Sequence, residues 1–358
     1  MEVRTHLTTA SAFADLESSG WSLTQISPSV AWWDSLASGL GHRPYVLVSS
    51  CKESGLSGCL PLFLVRSWMF GSFLVSLPYL NSAGVVLRGS VADDSLAVRE
   101  TQRCLIDRAV ELADALDVKH LELRGERMID HQAFNMERTD KVHMRLQLPT
   151  NADLLMTSFK SKLRSQVKKS GEHPFEVCFG GNEFLDDFYS VFSQNMRDLG
   201  TPVYSKELFR RVVDAFGRNS DGAIAEFCIL CLESQPISVA LLVHHRGITE
   251  VPSASTLRCW NSTGANMWMY WNLLQRAIEK GSTEFDFGRS SIDSGTYKFK
   301  EQWGAKPKQA VWQYYVRKGD PSDMRPDSPS KIRLVKVWKK LPLWLTRLVG
   351  PSIVRGIP

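Results

Sequence analysis

One succession of elements occurs twice in this chain of 358 residues, and that repetition restricts its fold more than any other feature. In the first half, YVLVSSCKES reads as a strand entering a turn and GLSGCLPLFLV as a second strand. VSLPYLNSAGVVL then supplies an extended segment with a polar loop. A helix follows over residues 95–115, with Leu96, Val98, Leu105, Ala109 and Leu112 on or near one face, and the strand HLELRGE closes the set. In the second half, AEFCILCLES, PISVALLVHH and ITEVPSAST are three strands. LRCWNSTGAN is a loop, MWMYWNLLQRAIEKG a helix and TEFDFGRS a closing strand. Such self-similarity implies a duplicated α/β unit with a mixed sheet, and the length suits two domains.

The expected domains are 1–150 and 151–318, followed by a linker at 319–330 (rich in Pro, Ser and Asp) and a basic tail at 331–358. Leu155, Phe159, Leu163 and Val167 fall at steps of four and predict one amphipathic helix. Phe184, Phe188, Phe192 and Met196 repeat that spacing, and Gly200 followed by Pro202 is a stop signal. Leu60 to Leu80 is the most apolar region, but Pro61, Arg66, Gly71 and Pro78 interrupt it, so it reads as paired strands rather than a membrane span. The N-terminus has no apolar core of a signal peptide, and 7 scattered cysteines fit a reducing compartment. A cytoplasmic location is expected. Cys228 and Cys231 form a C-x-x-C, but in a strand they face opposite sides and no second pair follows, so no metal site is expected.

Helices followed by strands, then a strand feeding a helix N-terminus, is the layout of the acetyltransferase-like fold. At that junction, residues 261–266 enter the helix, where free N–H groups can hold a phosphate or an acyl oxygen. Gly264 permits close approach of the backbone, or is an ordinary glycine at a helix start. The coenzyme A signature of an Arg or Gln with two spaced glycines is absent. The stretch FDFGRSSIDSGTYKFKEQWGAKP carries most of the remaining chemistry. Arg289 and Ser290 end a strand. If residues 297–300 are extended, Tyr297 and Phe299 share one face and Lys298 and Lys300 the other. Lys300 and Arg289 are the candidate catalytic pair, holding a phosphate or the oxyanion formed as an amine attacks an ester; Lys298 reads as solvated. Asp286 reads as a structural hydrogen-bonding residue, and His244 and His245 as structural or exposed. No general base stands out.

Asn266, Met267, residues 269–271, 285–290, 295–297 and 299–305 together resemble the Fem-type (FemAB/FemX-like) family of tandem GNAT-fold acyltransferases. The branch associated with exosortase and exopolysaccharide gene clusters is the most similar. LPL (60–62), FG (70–71), VSLPYLNSAG (75–84), LELR (121–124) and RDLGTPVYS (197–205) add to the resemblance, which covers residues 20–317. It implies two GNAT-like domains in tandem and amide formation by transfer of an aminoacyl or acyl group to an amine of a peptidoglycan or exopolysaccharide precursor. The implied cosubstrate is aminoacyl-tRNA or acyl-CoA, with no permanently bound cofactor. The long helical arm associated with tRNA in classical Fem enzymes is not visible here. Substrate contacts are expected from Asn195, Arg197, Thr201 and Tyr204, from Asn266, Tyr270, Ser290, Tyr297 and Trp303, and, in the first half, from Tyr79 and Asn81. Arg124 is expected to brace the domain interface. The rival activities are an acyl-CoA-dependent N-acyltransferase on an amino sugar and a non-catalytic glycan-binding module.

Residues 160–169 hold Lys160, Lys162, Arg164, Lys168 and Lys169 without an acid, and residues 328–358 hold seven Lys or Arg without one. Both point to anionic partners. In the tail, Leu334, Trp338, Leu341, Leu345 and Leu348 form one helical stripe kinked at Pro342. It either lies in a membrane interface beside a lipid-linked acceptor or packs back on the protein; the first places the chain peripherally at the inner membrane face.

Overall fold

The computed structural model describes residues 2–50, 56–80, 82–88, 95–217, 222–320 and 329–357. The chain divides into two compact units. The first contains β1 (Glu2–His6), α1 (Thr9–Ser18), α2 (Leu23–Leu40), β2 (Arg43–Ser50), β3 (Ser57–Ser67), β4 (Gly71–Val75), β5 (Val86–Arg88), α3 (Leu96–Ala115), β6 (His120–Gly125) and β7 (Met136–Arg138). β2, β3 and β4 run as an antiparallel meander. After them α3, capped by the Ser95 hydroxyl, crosses over. β6 then lies parallel to β4, pairing from Phe73↔His120 to Val75↔Glu122. Leu60, Leu62 and Leu64 of β3 point to the same face as Leu121 and Leu123 and bury it against Leu105, Ile106 and Ala109 of α3.

The second unit is built from β8 (Lys141–Gln147), α4 (Ala152–Ser158), α5 (Ser161–Ser170), β9 (Phe175–Gly180), α6 (Leu185–Leu199), α7 (Lys206–Gly217), β10 (Ile224–Leu232), β11 (Gln235–His245), β12 (Ile248–Thr256), α8 (Ala265–Glu279), β13 (Glu284–Ser291), α9 (Gly295–Gln302) and β14 (Lys306–Gln309). Its sheet runs β14-β8-β13-β12-β11-β10-β9. One face packs on α8, through Met269, Leu273, Leu274, Phe285 and Phe287. The other carries α6 and α7, where Phe188, Phe192, Phe209 and Phe227 interlock with ring centroids 4.6–5.3 Å apart. The succession seen in the first unit recurs: an antiparallel meander β10–β12, a crossover helix α8, and β13 parallel to β12.

Three expectations are corrected. The stripe Leu155–Val167 belongs to two helices, because the chain is extended at Phe159, although all four side chains reach one core. Residues 295–302 are the helix α9, started by the Ser294 hydroxyl accepting from the Tyr297 amide, not an extended segment. The division falls between Lys141 and Val142 rather than after residue 150, because β8 belongs mainly to the second sheet. The strand after β14, β15 (Val311–Val316), goes back to the first sheet between β6 and β7.

The chain ends in α10 (Pro329–Trp338) and α11 (Leu343–Val354). The tail does not stand apart from the fold. Its residues 330–351 belong to the second unit, where Arg347 donates to Ser193 Oγ at 2.8 Å and Thr346 is buried. No described helix is long and apolar enough to cross a membrane.

Candidate active site

β12 and β13 pair only from Ile248↔Glu284 to Glu250↔Asp286, yet β12 continues to Thr256 and β13 to Ser291. Their carboxyl ends therefore part, leaving a sheet opening with backbone groups on both sides. α8 starts just after β12, through a turn at Arg258–Thr263, and no side chain caps it at Gly264. The Ala265 amide donates to Thr263 Oγ1 at 3.3 Å, and the helix N-terminus beside an open pair of strand ends suits a ligand with an anionic or carbonyl group.

Lys300 of α9 stands at the β13 side of this opening. Its Nζ donates to the carbonyls of Gly288 (3.1 Å) and Arg289 (3.0 Å), which occupies two of its three donors. Burial pushes the ammonium down to about 8; Asp286 pulls it back up and Arg289 adds repulsion. Gly288 has φ 76°, a left-handed conformation that turns both carbonyls toward one amine. The turn is held from behind: Asp286 Oδ1 accepts from the Gly288 amide (2.7 Å) and Oδ2 from Arg145 Nε (3.0 Å). Burial and the neighbouring Glu250 raise the Asp286 carboxyl, against the pull of Arg145 and Gly288. Asp286 thus positions the bend that positions Lys300. The next residue, Ser290, is only 4% exposed, and its hydroxyl meets no hydrogen-bond partner among the described residues. A buried hydroxyl left unpaired costs about 1–3 kcal/mol unless a ligand or water satisfies it.

The equivalent place in the first unit is closed. Beyond Val75↔Glu122, the Ser76 amide donates to Glu122 O, the Arg124 amide to Ser76 Oγ, and the Ala83 amide to Arg124 O (2.8 Å). The Arg124 guanidinium adds a bond to Leu80 O and an ion pair of 2.6 Å with Glu122, and lies over the Trp312 ring. Among the described residues, the second unit keeps its strand ends apart where the first joins them.

The remaining candidates are distributed unevenly. Asn266, in the first turn of α8, accepts from Thr256 Oγ1, and Asn195 donates to Ser255 Oγ, so both reach the diverging end of β12. Tyr297 is half-buried against the α8 core. Trp303 is fully buried beside Phe159 and Phe299, and Tyr270, 8% exposed, lies between Phe287 and Phe299, so both pack in the core. Gly264 has a packing reason: a Cβ there would sit 2.2 Å from Ser170 Oγ of α5. The 197–205 loop is taken up by the tail. Arg197 binds Asp198 and Leu341 O, Gly200 abuts Val335 and Val203 abuts Gly350, while Tyr204 O accepts from Tyr189. Thr201, between these contacts, is half-buried. Tyr79, in the first unit, holds φ 78° with its ring 5.9 Å from Trp32. Asn81 lies outside the described residues.

A second polar cluster escaped the sequence reading. Glu226 of β10 takes two bonds of 2.8 Å from Arg276 and one of 3.0 Å from His244, whose other nitrogen meets Thr249. Burial alone would raise Glu226, but these donors hold it at about 2. His245 lies 3.1 Å from Glu250. Each partner comes from a different element, and no spacing along the chain announces them.

Residues 157–301 match the model of the Acetyltransferase (GNAT) domain, a stretch that contains the open strand ends, α8 and Lys300. No curated protein matches the chain in sequence. Among solved structures, FemX superposes with a TM-score of 0.59 at 16% identity, covering 88% of this chain and 98% of its own. L-PGS from Bacillus licheniformis gives 0.53 at 14%, covering 98% and 99%. A tandem GNAT protein from the clavulanic acid biosynthesis pathway gives 0.50 at 11%, covering 89% and 100%. At these identities the likeness is one of fold, and by that fold the chain is a tandem pair of GNAT-like α/β domains.

Proposed function

We propose that this chain is a Fem-type N-acyltransferase that joins an aminoacyl or acyl group to an amine of a cell-envelope or exopolysaccharide precursor. The observation that carries the reading is the pairing of open strand ends with Lys300 and the unpartnered Ser290 hydroxyl, inside the matched GNAT stretch. The acyl carbonyl enters between β12 and β13. The acceptor amine attacks it, a C–N bond forms, and the bond to the ester oxygen or thioester sulfur breaks. The amine proton ends on that leaving atom. Lys300 and Ser290 face the charge that builds on the carbonyl oxygen, where each fixed donor matters more than in water. The N-terminus of α8, with Lys168 and Lys169 two or fewer residues from the Ser170 that touches Gly264, receives the phosphates of an acyl-CoA or an aminoacyl-tRNA. FemX and L-PGS as structural neighbours support aminoacyl transfer, and the tandem GNAT neighbour leaves acyl-CoA open as donor. The reaction belongs to the cytoplasm, with the chain peripheral at the inner face of the membrane.

The test incubates the purified chain with acyl-CoA and charged-tRNA pools and amine-bearing envelope precursors, and reads product masses. One amide product, lost in Lys300→Ala, is expected. Glycan binding without any amide product would make the chain a binding module instead.

A further inference from the structure

After Asp327 the chain has no Asp or Glu, against Lys331, Arg333, Lys336, Lys339, Lys340, Arg347 and Arg355. Among the residues whose side chains are described, 334–354, the last two helices pack on the protein through one set of side chains and expose another. α10 sets Val335 and the stem of Lys339 against Gly200, so closely that a Cβ there would lie 2.5 Å from Val335. α11 buries Thr346, brings Gly350 against the Val203 backbone and commits the Arg347 guanidinium to Ser193. The outward side is apolar. Leu334 is 65% and Val337 59% exposed on α10, and Trp344 is 66% and Leu348 70% exposed on α11. Residues three and four apart share a helix face, so each pair is one stripe. Lys336, Lys339 and Lys340 are exposed on the same short helix pair, with no carboxylate in either helix.

The occupant must accept both the apolar stripes and the uncompensated cations. A second copy of this face would set lysines against lysines. A polyanion such as nucleic acid offers no apolar depth to Trp344, Leu348, Leu334 and Val337. An anionic bilayer offers both: the Trp ring sits at headgroup depth, aliphatic side chains reach the acyl boundary, and the ammonium groups meet phosphates. We propose that the outward face of α10 and α11 docks this chain on an anionic phospholipid surface, peripherally, since 10- and 12-residue helices are too short to span it.

The test is flotation of the full chain with phosphatidylglycerol-containing and with pure phosphatidylcholine vesicles, at low and high salt, beside sedimentation velocity without lipid. Two double variants are used, Lys336→Gln/Lys340→Gln and Trp344→Ser/Leu348→Ser; all four side chains are exposed. Flotation with anionic vesicles alone is expected, weakened by salt. At about 1 kcal/mol per surface lysine, the first variant lowers partitioning roughly 25-fold. The second abolishes it. Failure to float on anionic vesicles at low salt, equal flotation on phosphatidylcholine, or flotation indifferent to both variants overturns the proposal. So does a lipid-free dimer that Trp344→Ser/Leu348→Ser dissociates, which would make a second copy the occupant.

Discussion

Two carbonyls of the Gly288 bend fix the Lys300 amine, and burial brings its titration down to about 8, inside the range an assay can reach. If the ammonium stabilises the oxyanion, kcat/KM falls as pH rises through about 8, and Lys300→Arg moves that limb to higher pH. A pH–rate profile that rises there would make Lys300 a base instead. Lys300→Ala lowers turnover roughly a hundredfold or more. It also strands two carbonyls, at about 1–3 kcal/mol of stability, which a denaturant titration would register. Glu226 makes the converse case, a charge that serves the fold. Its folded value of about 2 lies below the ordinary 4.5, so its contribution is complete above 4.5 and is lost as pH falls toward 2. Glu226→Ala, which leaves Arg276 and His244 without their carboxylate, costs about 3–5 kcal/mol by urea unfolding. Glu226→Gln flattens the acid limb of stability. Arg289 drew notice in the sequence because it sits between Gly288 and Ser290 at a strand end, and Lys300 because it follows in the same polar stretch, although the helix α9 that carries it read as extended. The Glu226 network did not, because its members meet only through three strands and a helix.

At the scale of elements, the long apolar repeats were readable and the short ones misled. The helix expected at 95–115 is α3 within one residue, and the stop at Gly200 ends α6 in the left-handed conformation. α9 is only 8 residues long, and its Tyr297 and Phe299 alternate as a strand would; the Ser294 cap was the signal that spoke for a helix. α1 and α2 went unread, although they stand between β1 and the first meander as α6 and α7 stand between β9 and the second. Gly264 shows how a glycine can be read for the wrong reason. Valine there forces a Cβ toward Ser170 at φ 74°, so it separates α5 from α8 before any donor is involved. Gly264→Val lowers stability by about 1–3 kcal/mol, and Ser170→Gly in the same chain recovers part of it. Equal Tm values for the two would show that the contact carries no weight.

For the whole molecule, the duplicated succession is visible in the sheets as two three-residue parallel pairings, β4 with β6 and β12 with β13. What the repeat could not show is that the strand after β14 leaves its own half. β15 pairs Val311 with Gly125 and Trp312 with Arg138, and Gln313 exchanges bonds of 2.8 and 2.9 Å with the Ile129 backbone. Residues 1–150 expressed alone therefore lack the strand that joins β6 to β7 and expose an unpaired edge, a site for aggregation. Appending residues 309–318 to that fragment through a flexible linker restores solubility and raises its Tm; an untagged 1–150 fragment that is soluble and melts cooperatively would refute this. Vectorial synthesis turns the same strand into a timing constraint. The ribosome delivers the first sheet's missing member some 170 residues after β7, when the whole second GNAT-like unit has already emerged. The half made first is the half completed last, and a nascent chain interrupted anywhere before Val311 leaves it unfinished, however well the later half has folded.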